Sequence, residues 1–290
     1  MKWTEEKTWY DNHHSNSSFI SPANVFSNNR FRGLEYIKNE IVPVLGGGKV
    51  HINSEVMYQQ HPVLQKIKDS SVLIIGGGPS AKNAFLIGNN YDFIVSCNHF
   101  FVNEKIGSMK IDLAFLGDEV DLDGEELKQY IEKSNTTFCF ENVGHKKEKL
   151  NNFKNRYPEI VFWAHTRYHS KVGAVPRIAS LIAALKPKKI SLIGMDGYVP
   201  LSIQKEHAHS FQKNKGYDGS LEREGNDSVI IDKYKQQYLE FWDYILHDVG
   251  KNIEFYNLGH GHPCNLSTIV LTQILGDQYQ DYLADTGARE

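Results

Sequence analysis

Residues 70–85 read SSVLIIGGGPSAKNAF. Val72 to Ile75 form a short apolar run, Gly76, Gly77 and Gly78 follow it directly, and after Pro79 and Ser80 an Ala and Phe series continues at helical spacing. The order is strand, tight turn, helix. Such a turn presents backbone N–H groups at a helix N-terminus, where the macrodipole favours a negative charge, so phosphate is the expected guest. Pro79 suits a first helical turn because its missing N–H costs nothing there. Ser80 adds a hydroxyl near the anion.

Downstream of this turn, apolar runs alternate with helical patterns. The runs are VLIIG, DFIVSCN, IDLAFLG, TTFCFEN, EIVFWAH, KISLIGMD and NIEFYNLG, and the helical patterns include 124–132, 174–185 and 232–246. Regular alternation of this kind predicts an α/β fold: a doubly wound, mostly parallel Rossmann-like sheet with helices on both faces. The first 70 residues differ. They are rich in Asn, Ser and His, carry one helical pattern at FRGLEYIKNEIVPVL and a glycine break at Gly46 to Gly48, and read as an extension packed on the main domain. The expected organisation is therefore an N-terminal extension over 1–70, a nucleotide-binding catalytic domain over 71–276, and a C-terminal tail over 277–290.

One interval breaks the rhythm. From Gly197 to Asp227 the chain is polar, aperiodic and too long for an ordinary connection, and it leaves the carboxyl end of a strand, where ligands bind in open α/β sheets. It is expected to be an active-site lid.

Composition bounds the function. At 290 residues and 40% hydrophobic content the chain can bury a full core, while a formal net charge of −3 gives no global field for a polyanion, which argues against nucleic-acid binding. Cys97, Cys139 and Cys264 lack metal-type spacing and lie in or beside apolar segments, as buried thiols of a reducing compartment do. The N-terminus has no apolar signal core, and no run of ~18 apolar residues occurs. A cytoplasmic protein without a membrane span is expected, and a homo-oligomer is left open.

GGGPSA satisfies G-x-G-x-x-A, the variant dinucleotide fingerprint. A nicotinamide site would place Asp or Glu ~20 residues on. Here the second strand ends SCNHF, and Asn98 can hold a ribose or base but departs from that pattern. An NAD(P) oxidoreductase is thereby weakened, and a turn that serves only close strand–helix packing is the plainer alternative.

GGGPS, then CN at Cys97 and Asn98, RYHS at Arg167 to Ser170, a helix, and LIGMDGY at Leu192 to Tyr198 together resemble the family 42 bacterial sialyltransferases. Their order and spacing also resemble the bacterial group related to archaeal 6-hydroxymethylpterin diphosphokinases. The likeness covers about residues 72 to 200, through short motifs. It implies that Gly76, Gly77, Gly78, Pro79, Ser80 and Asn98 hold the nucleotide of a CMP-sugar, with Arg167 and Ser170 near the nucleotide and the sugar carboxylate. It further implies that Tyr198 stabilises the leaving phosphate. There are departures: FLGDEV places Gly117 and Asp118 where the family has Asn, and the helix after Ser170 begins about four residues later. The late-lid stretch NDSVIIDKY also lacks the family's catalytic His.

The lid does carry His207 and His209 in KEHAHSF. An inverting transferase needs a base for the acceptor hydroxyl's proton, and an imidazole with a pKa near ~6.5 suits that work. His209 is the expected base and His207 its alternate, with Asp196 orienting the base or the ribose, or else capping a helix. A second pair, His260 and His262 in NLGHGHPCN, reads as loop histidines, as a phosphate contact, or as half of a metal site if the two pairs converge. DLDGEE from Asp121 looks like a D-x-D metal motif but reads better as a helix start, with Asp123 as N-cap and Glu125 and Glu126 complementing the dipole.

The expected activity is a glycosyltransferase moving a sugar from a nucleotide-activated donor, most simply a CMP-sugar, to a glycan or other hydroxyl acceptor by single displacement. It would need no cofactor and no essential metal. The rivals are a pterin diphosphokinase-like enzyme, which would require Mg²⁺ on carboxylates such as Asp118 or Asp196, the NAD(P) oxidoreductase, and an inert nucleotide-binding protein.

Overall fold

The computed structural model describes residues 50–53, 56–117, 120–141, 147–166, 174–195, 242, 245–259 and 267–268. Ten strands form one sheet: β1 Val50–Asn53, β2 Val56–Gln59, β3 Ser71–Ile75, β4 Phe93–Cys97, β5 Leu113–Leu116, β6 Thr137–Glu141, β7 Val161–Thr166, β8 Lys189–Ile193, β9 Glu254–Asn257 and β10 Ser267–Thr268. Their spatial order is β1-β2-β7-β6-β5-β4-β3-β8-β9-β10. From β3 the chain steps outward through β4, β5, β6 and β7, then returns to the other flank of β3 with β8 and continues to β9 and β10. Every pairing from β7 to β10 across the sheet is parallel.

All seven apolar runs read from the sequence are strands β3 to β9. The reason is burial on both faces, which lets a parallel strand be apolar throughout. Val72 and Ile74 of β3 join one core with Phe93, Val95, Leu113, Phe115, Ile190 and Leu192. Leu73 and Ile75 join the other with Ile94, Ala114, Leu116, Phe138, Phe140 and Ile193. The first core is covered by α5 (Ala174–Ala184) together with Trp242 and Ile245. The second lies under α1 (Ala84–Ile87), α2 (Glu104–Gly107), α3 (Glu125–Lys133) and α4 (Lys147–Arg156).

An aromatic chain closes the second core. Ring centroids lie 5.0 Å apart for Phe100 and Tyr130, 6.5 Å for Tyr130 and Phe138, and 6.2 Å for Phe138 and Phe153, each pair edge to face. That arrangement sets ring edges against π faces and contributes about 0.5–1.5 kcal/mol per pair beyond burial. The Tyr130 hydroxyl meets the Thr136 hydroxyl at 2.7 Å, which donates in turn to the Ile111 carbonyl, so the polar end is satisfied inside the core.

Three features depart from the sequence reading. The end of the 1–70 segment is part of the sheet: β1 and β2 form an antiparallel hairpin, and β2 pairs antiparallel with β7, which makes the sheet mixed. The helix expected after the glycine turn is a 3-10 turn, Pro79–Asn83, followed by the single helical turn of α1. At the start of α3 the N-cap is Gly124, not Asp123. Asp123 instead holds Arg156 at 3.1 Å, and Lys149 stands 3.6 Å from Asp121, so both carboxylates tie the loop to α4 across the surface. The helical pattern at 31–45, the lid at 197–227, Cys264 and the tail at 277–290 lie outside the described residues. Among the described residues no helix is long and apolar enough to cross a membrane.

At the amino edge, Asp92 ties β3 to the start of β4. Its carboxylate accepts from the Ser71 N–H at 2.8 Å and from the Ser71 hydroxyl at 2.7 Å. These bonds, the backbone one foremost, hold its pKa below the usual carboxylate value. A depressed folded-state pKa adds stability that is present above the unfolded value and is lost as pH falls through the folded one. The unfolding midpoint of the native chain is therefore expected to drop below pH ~4 with a contribution that Asp92→Asn lacks. Denaturant titrations of the two proteins between neutral and acid pH check this, and parallel curves would remove Asp92 as the source.

Candidate functional site

The site is built where the order of strands reverses, between β3 and β8. The Gly76 N–H donates to the Ile193 carbonyl at 2.7 Å and the Gly78 N–H to the Gly194 carbonyl at 2.9 Å, extending the β3–β8 ladder past both strand ends. In return the Gly194 N–H donates to the Ser80 hydroxyl at 2.8 Å, deep in the protein. The turn is thereby stitched to the end of β8 by three bonds.

The approach is so close that neither glycine can carry a side chain. A Cβ on Gly76 would lie 2.6 Å from the Gly194 carbonyl oxygen, and one on Gly194 would lie 2.6 Å from the Gly76 oxygen and 2.9 Å from Ala81 Cβ. Gly194 also has φ +77°, a left-handed conformation that glycine adopts without penalty. The sequence reading chose Gly76 to Gly78 for phosphate. In the structure the amides of Gly76 and Gly78 are engaged by β8, and these glycines serve backbone contact.

The first turn of α5 reaches the same place. A Cβ on Gly76 would meet Val175 Cγ2 at 3.0 Å, so the chain that enters α5 arrives beside the glycine turn. Pro176 in that turn is tolerated because a first-turn residue needs no intrahelical N–H bond.

On the other flank of β3, the register pairs Ile75 with Ser96 and Cys97 with Phe115. Asn98 leaves β4 at φ +54°, a left-handed position that Asn tolerates better than most residues. Its N–H donates to the Phe115 carbonyl at 2.7 Å, and its side-chain oxygen accepts the Gly117 N–H at 2.9 Å. An N–H partner fixes the amide assignment, with the oxygen toward Gly117. A Cβ on Gly117 would come within 3.2 Å of that oxygen. Asn98 therefore closes β4 onto β5 and is half-buried at the carboxyl edge.

Of the residues singled out from sequence, the structure brings together Gly76, Gly77, Gly78, the Pro79 backbone and Ser80 on one side, and Asn98 with Gly117 one strand away. Asp118, Arg167, Ser170, Asp196, Tyr198, His207, His209, His260 and His262 lie outside the described residues. Among the described residues no group of three or more His, Cys, Asp or Glu side chains is placed to hold a metal ion. Sequence reasoning passed over Gly194 as a contact residue. Its signal was present, since a glycine directly after an apolar strand marks a close backbone approach.

Gly194→Ala is expected to destabilise the fold by about 2–4 kcal/mol, from left-handed strain and overpacking against backbone. Gly78→Ala is the contrast: at φ −70°, ψ 166° its backbone is ordinary for any residue, and a stability change within ~0.5 kcal/mol is expected. Urea unfolding of the three proteins checks both, and equal midpoints for Gly194→Ala and the native chain would refute the contact argument. No family model and no curated protein matches the chain.

Proposed function

We propose that the chain is a nucleotide-binding transferase with a doubly wound, Rossmann-like core, and that it moves a sugar from a nucleotide-activated donor to a hydroxyl acceptor. One observation carries this reading. Three of the short segments that resemble the family 42 sialyltransferases, at Gly76 to Ser80, at Asn98 and at Leu192 to Gly194, end on one carboxyl edge where the strand order reverses, and the helix after Arg167 to Ser170 begins against Gly76. Open α/β sheets bind ligands at that kind of reversal, because the connections on either side depart to opposite faces and leave a crevice between them.

The roles follow from position. The nucleotide would lie across the glycine turn, whose Gly76 and Gly78 amides are held by the end of β8 and so position the turn rather than grip phosphate. Asn98, at the carboxyl edge one strand away, is the residue proposed to contact the ribose or base. Arg167 and Ser170 precede α5 and would bind phosphate and sugar carboxylate. Asp196 and Tyr198 follow Met195 off β8, with Tyr198 on the leaving phosphate, and His209 or His207 would take the acceptor's proton. The reaction proposed is a single displacement: the acceptor oxygen attacks the anomeric carbon as its proton passes to imidazole, and the nucleotide leaves with the bonding pair. The protein is taken to act in the cytoplasm, and Cys97 and Cys139 are buried and not joined in a disulfide.

A thermal-shift screen with CMP, CDP, UDP, GDP, ATP and NAD, with and without Mg²⁺, tests the ligand class. A nucleotide at 100 times its dissociation constant stabilises by about 2.7 kcal/mol. A CMP response independent of Mg²⁺ is expected, whereas an ATP response that requires Mg²⁺ would favour the diphosphokinase alternative. Gly78→Val is expected to fold and to lose the nucleotide response, and a folded variant with unchanged affinity would refute the placement.

His209→Ala is expected to lower turnover ~10²–10⁴-fold with little change in nucleotide affinity, and Tyr198→Phe to lower it less. Steady-state kinetics on an identified donor and acceptor measure both. Full turnover in both the His209→Ala and His207→Ala proteins would move the base elsewhere, to His260 or His262 first.

A further inference from the structure

The opposite edge of the sheet carries a feature that the proposed chemistry leaves unused. Three segments distant in sequence are bonded together where β3, β8 and β9 begin. The Asp69 N–H donates to the Lys186 carbonyl at 3.0 Å, the Lys188 N–H to the Ser70 carbonyl at 2.8 Å, and the Glu254 N–H to the Lys188 carbonyl at 3.3 Å. These bonds gather Lys66, Lys68, Lys186, Lys188 and Lys251, all exposed, with the half-buried Lys189 beside them. Among the described side chains, the carboxylates beside these lysines are Asp69, Asp92 and Glu254. Of these, Asp92 accepts two bonds from Ser71 and Glu254 accepts the Tyr256 hydroxyl at 2.9 Å. Lys189 lies over the Tyr91 ring at 5.1 Å and beside Asp92, so among the described side chains where these three strands begin the exposed excess is Lys66, Lys68, Lys186, Lys188 and Lys251, on a chain whose formal net charge is −3.

The excess is local. Further along the same edge Lys110 is paired with Asp112 at 3.4 Å. Lys186 also holds its charge at φ +58°, in the left-handed position after α5 where a helix commonly ends in glycine. The macrodipole of α5 favours a cation there, but that accounts for one lysine of the five.

We infer that this amino edge is a docking surface for an anionic lipid bilayer. The charges are ammonium groups on flexible stems, with no arginine among them, which suits a diffuse negative potential better than the planar, bidentate recognition of individual phosphates. Clusters of four to eight basic residues bind acidic headgroups in this way. The net negative charge elsewhere does not prevent it, because a Debye length of ~10 Å at 0.1 M salt hides carboxylates on the far side. A strand-tracking groove, which a nucleic acid would need, is not what one compact end of a sheet offers. Docked by this edge, the protein holds its carboxyl edge away from the bilayer, open to soluble ligands. The inference is independent of the proposed transfer reaction.

The test is co-sedimentation of the full chain with vesicles of phosphatidylcholine alone and of phosphatidylcholine with phosphatidylserine. Binding to the anionic vesicles only is expected, weakening steeply as salt is raised. The variant Lys68→Glu, Lys188→Glu, Lys251→Glu should lose about tenfold or more of that affinity while keeping the native unfolding midpoint. Reversal at Lys82, Lys128 and Lys149, away from this edge, should leave binding within about twofold. No sedimentation with anionic vesicles at low salt, equal sedimentation with neutral ones, or an anionic affinity untouched by the first variant would each overturn the inference. So would salt-sensitive binding of a labelled oligonucleotide that the first variant abolishes, in the absence of vesicle binding.

Discussion

The backbone contact between Gly76 and Gly194 is the constraint on which the centre of this protein depends. Two parallel strands that lie side by side in the sheet but far apart in the chain continue to bond after both have ended, through the Gly76 and Gly78 N–H groups and, in return, the Gly194 N–H on Ser80. The contact is possible only because neither position carries a Cβ. It fixes the end of β8 against the turn after β3, sets the start of α5 alongside, and so determines the floor of the carboxyl edge.

Much of the fold was legible because burial on both faces leaves a plain trace. VLII, FIVSC, LAFL and KISLI contain almost no polar positions, and each is a central parallel strand. What escaped was information that apolar periodicity does not hold. The hairpin of β1 and β2 sits on the sheet's margin, and its composition, VHIN and VMYQ, is that of a half-polar edge. The brevity of α1 was hidden because Ala81, Ala84 and Ile87 have helical spacing whether the backbone between them is 3-10 or α.

The candidate site was legible in location more than in role. The glycine turn and Asn98 were chosen as ligand contacts, and both are at the carboxyl edge. Yet the hydrogen bonds of Gly76, Gly78 and Asn98 that the structure shows are made to neighbouring strand ends, and such partners lie too far off in sequence to be read from a local motif. Asp123 shows the same limit on a smaller scale: an acid before a helix has the look of a cap, and only the fold reveals Arg156 in reach of it.

The Gly194 amide and the Ser80 hydroxyl that receives it are separated by 114 residues. During synthesis at ~5–20 residues per second, roughly 6 to 23 s pass between the emergence of one and the emergence of the other. For most of that interval β3 has its β4 neighbour available but not its β8 neighbour. An all-apolar strand with an unpaired edge is a template for pairing with other chains. The centre of the mature sheet is thus, on the ribosome, its most adhesive margin, and the nascent chain depends for those seconds on whatever shields that strand until residues 189–193 arrive.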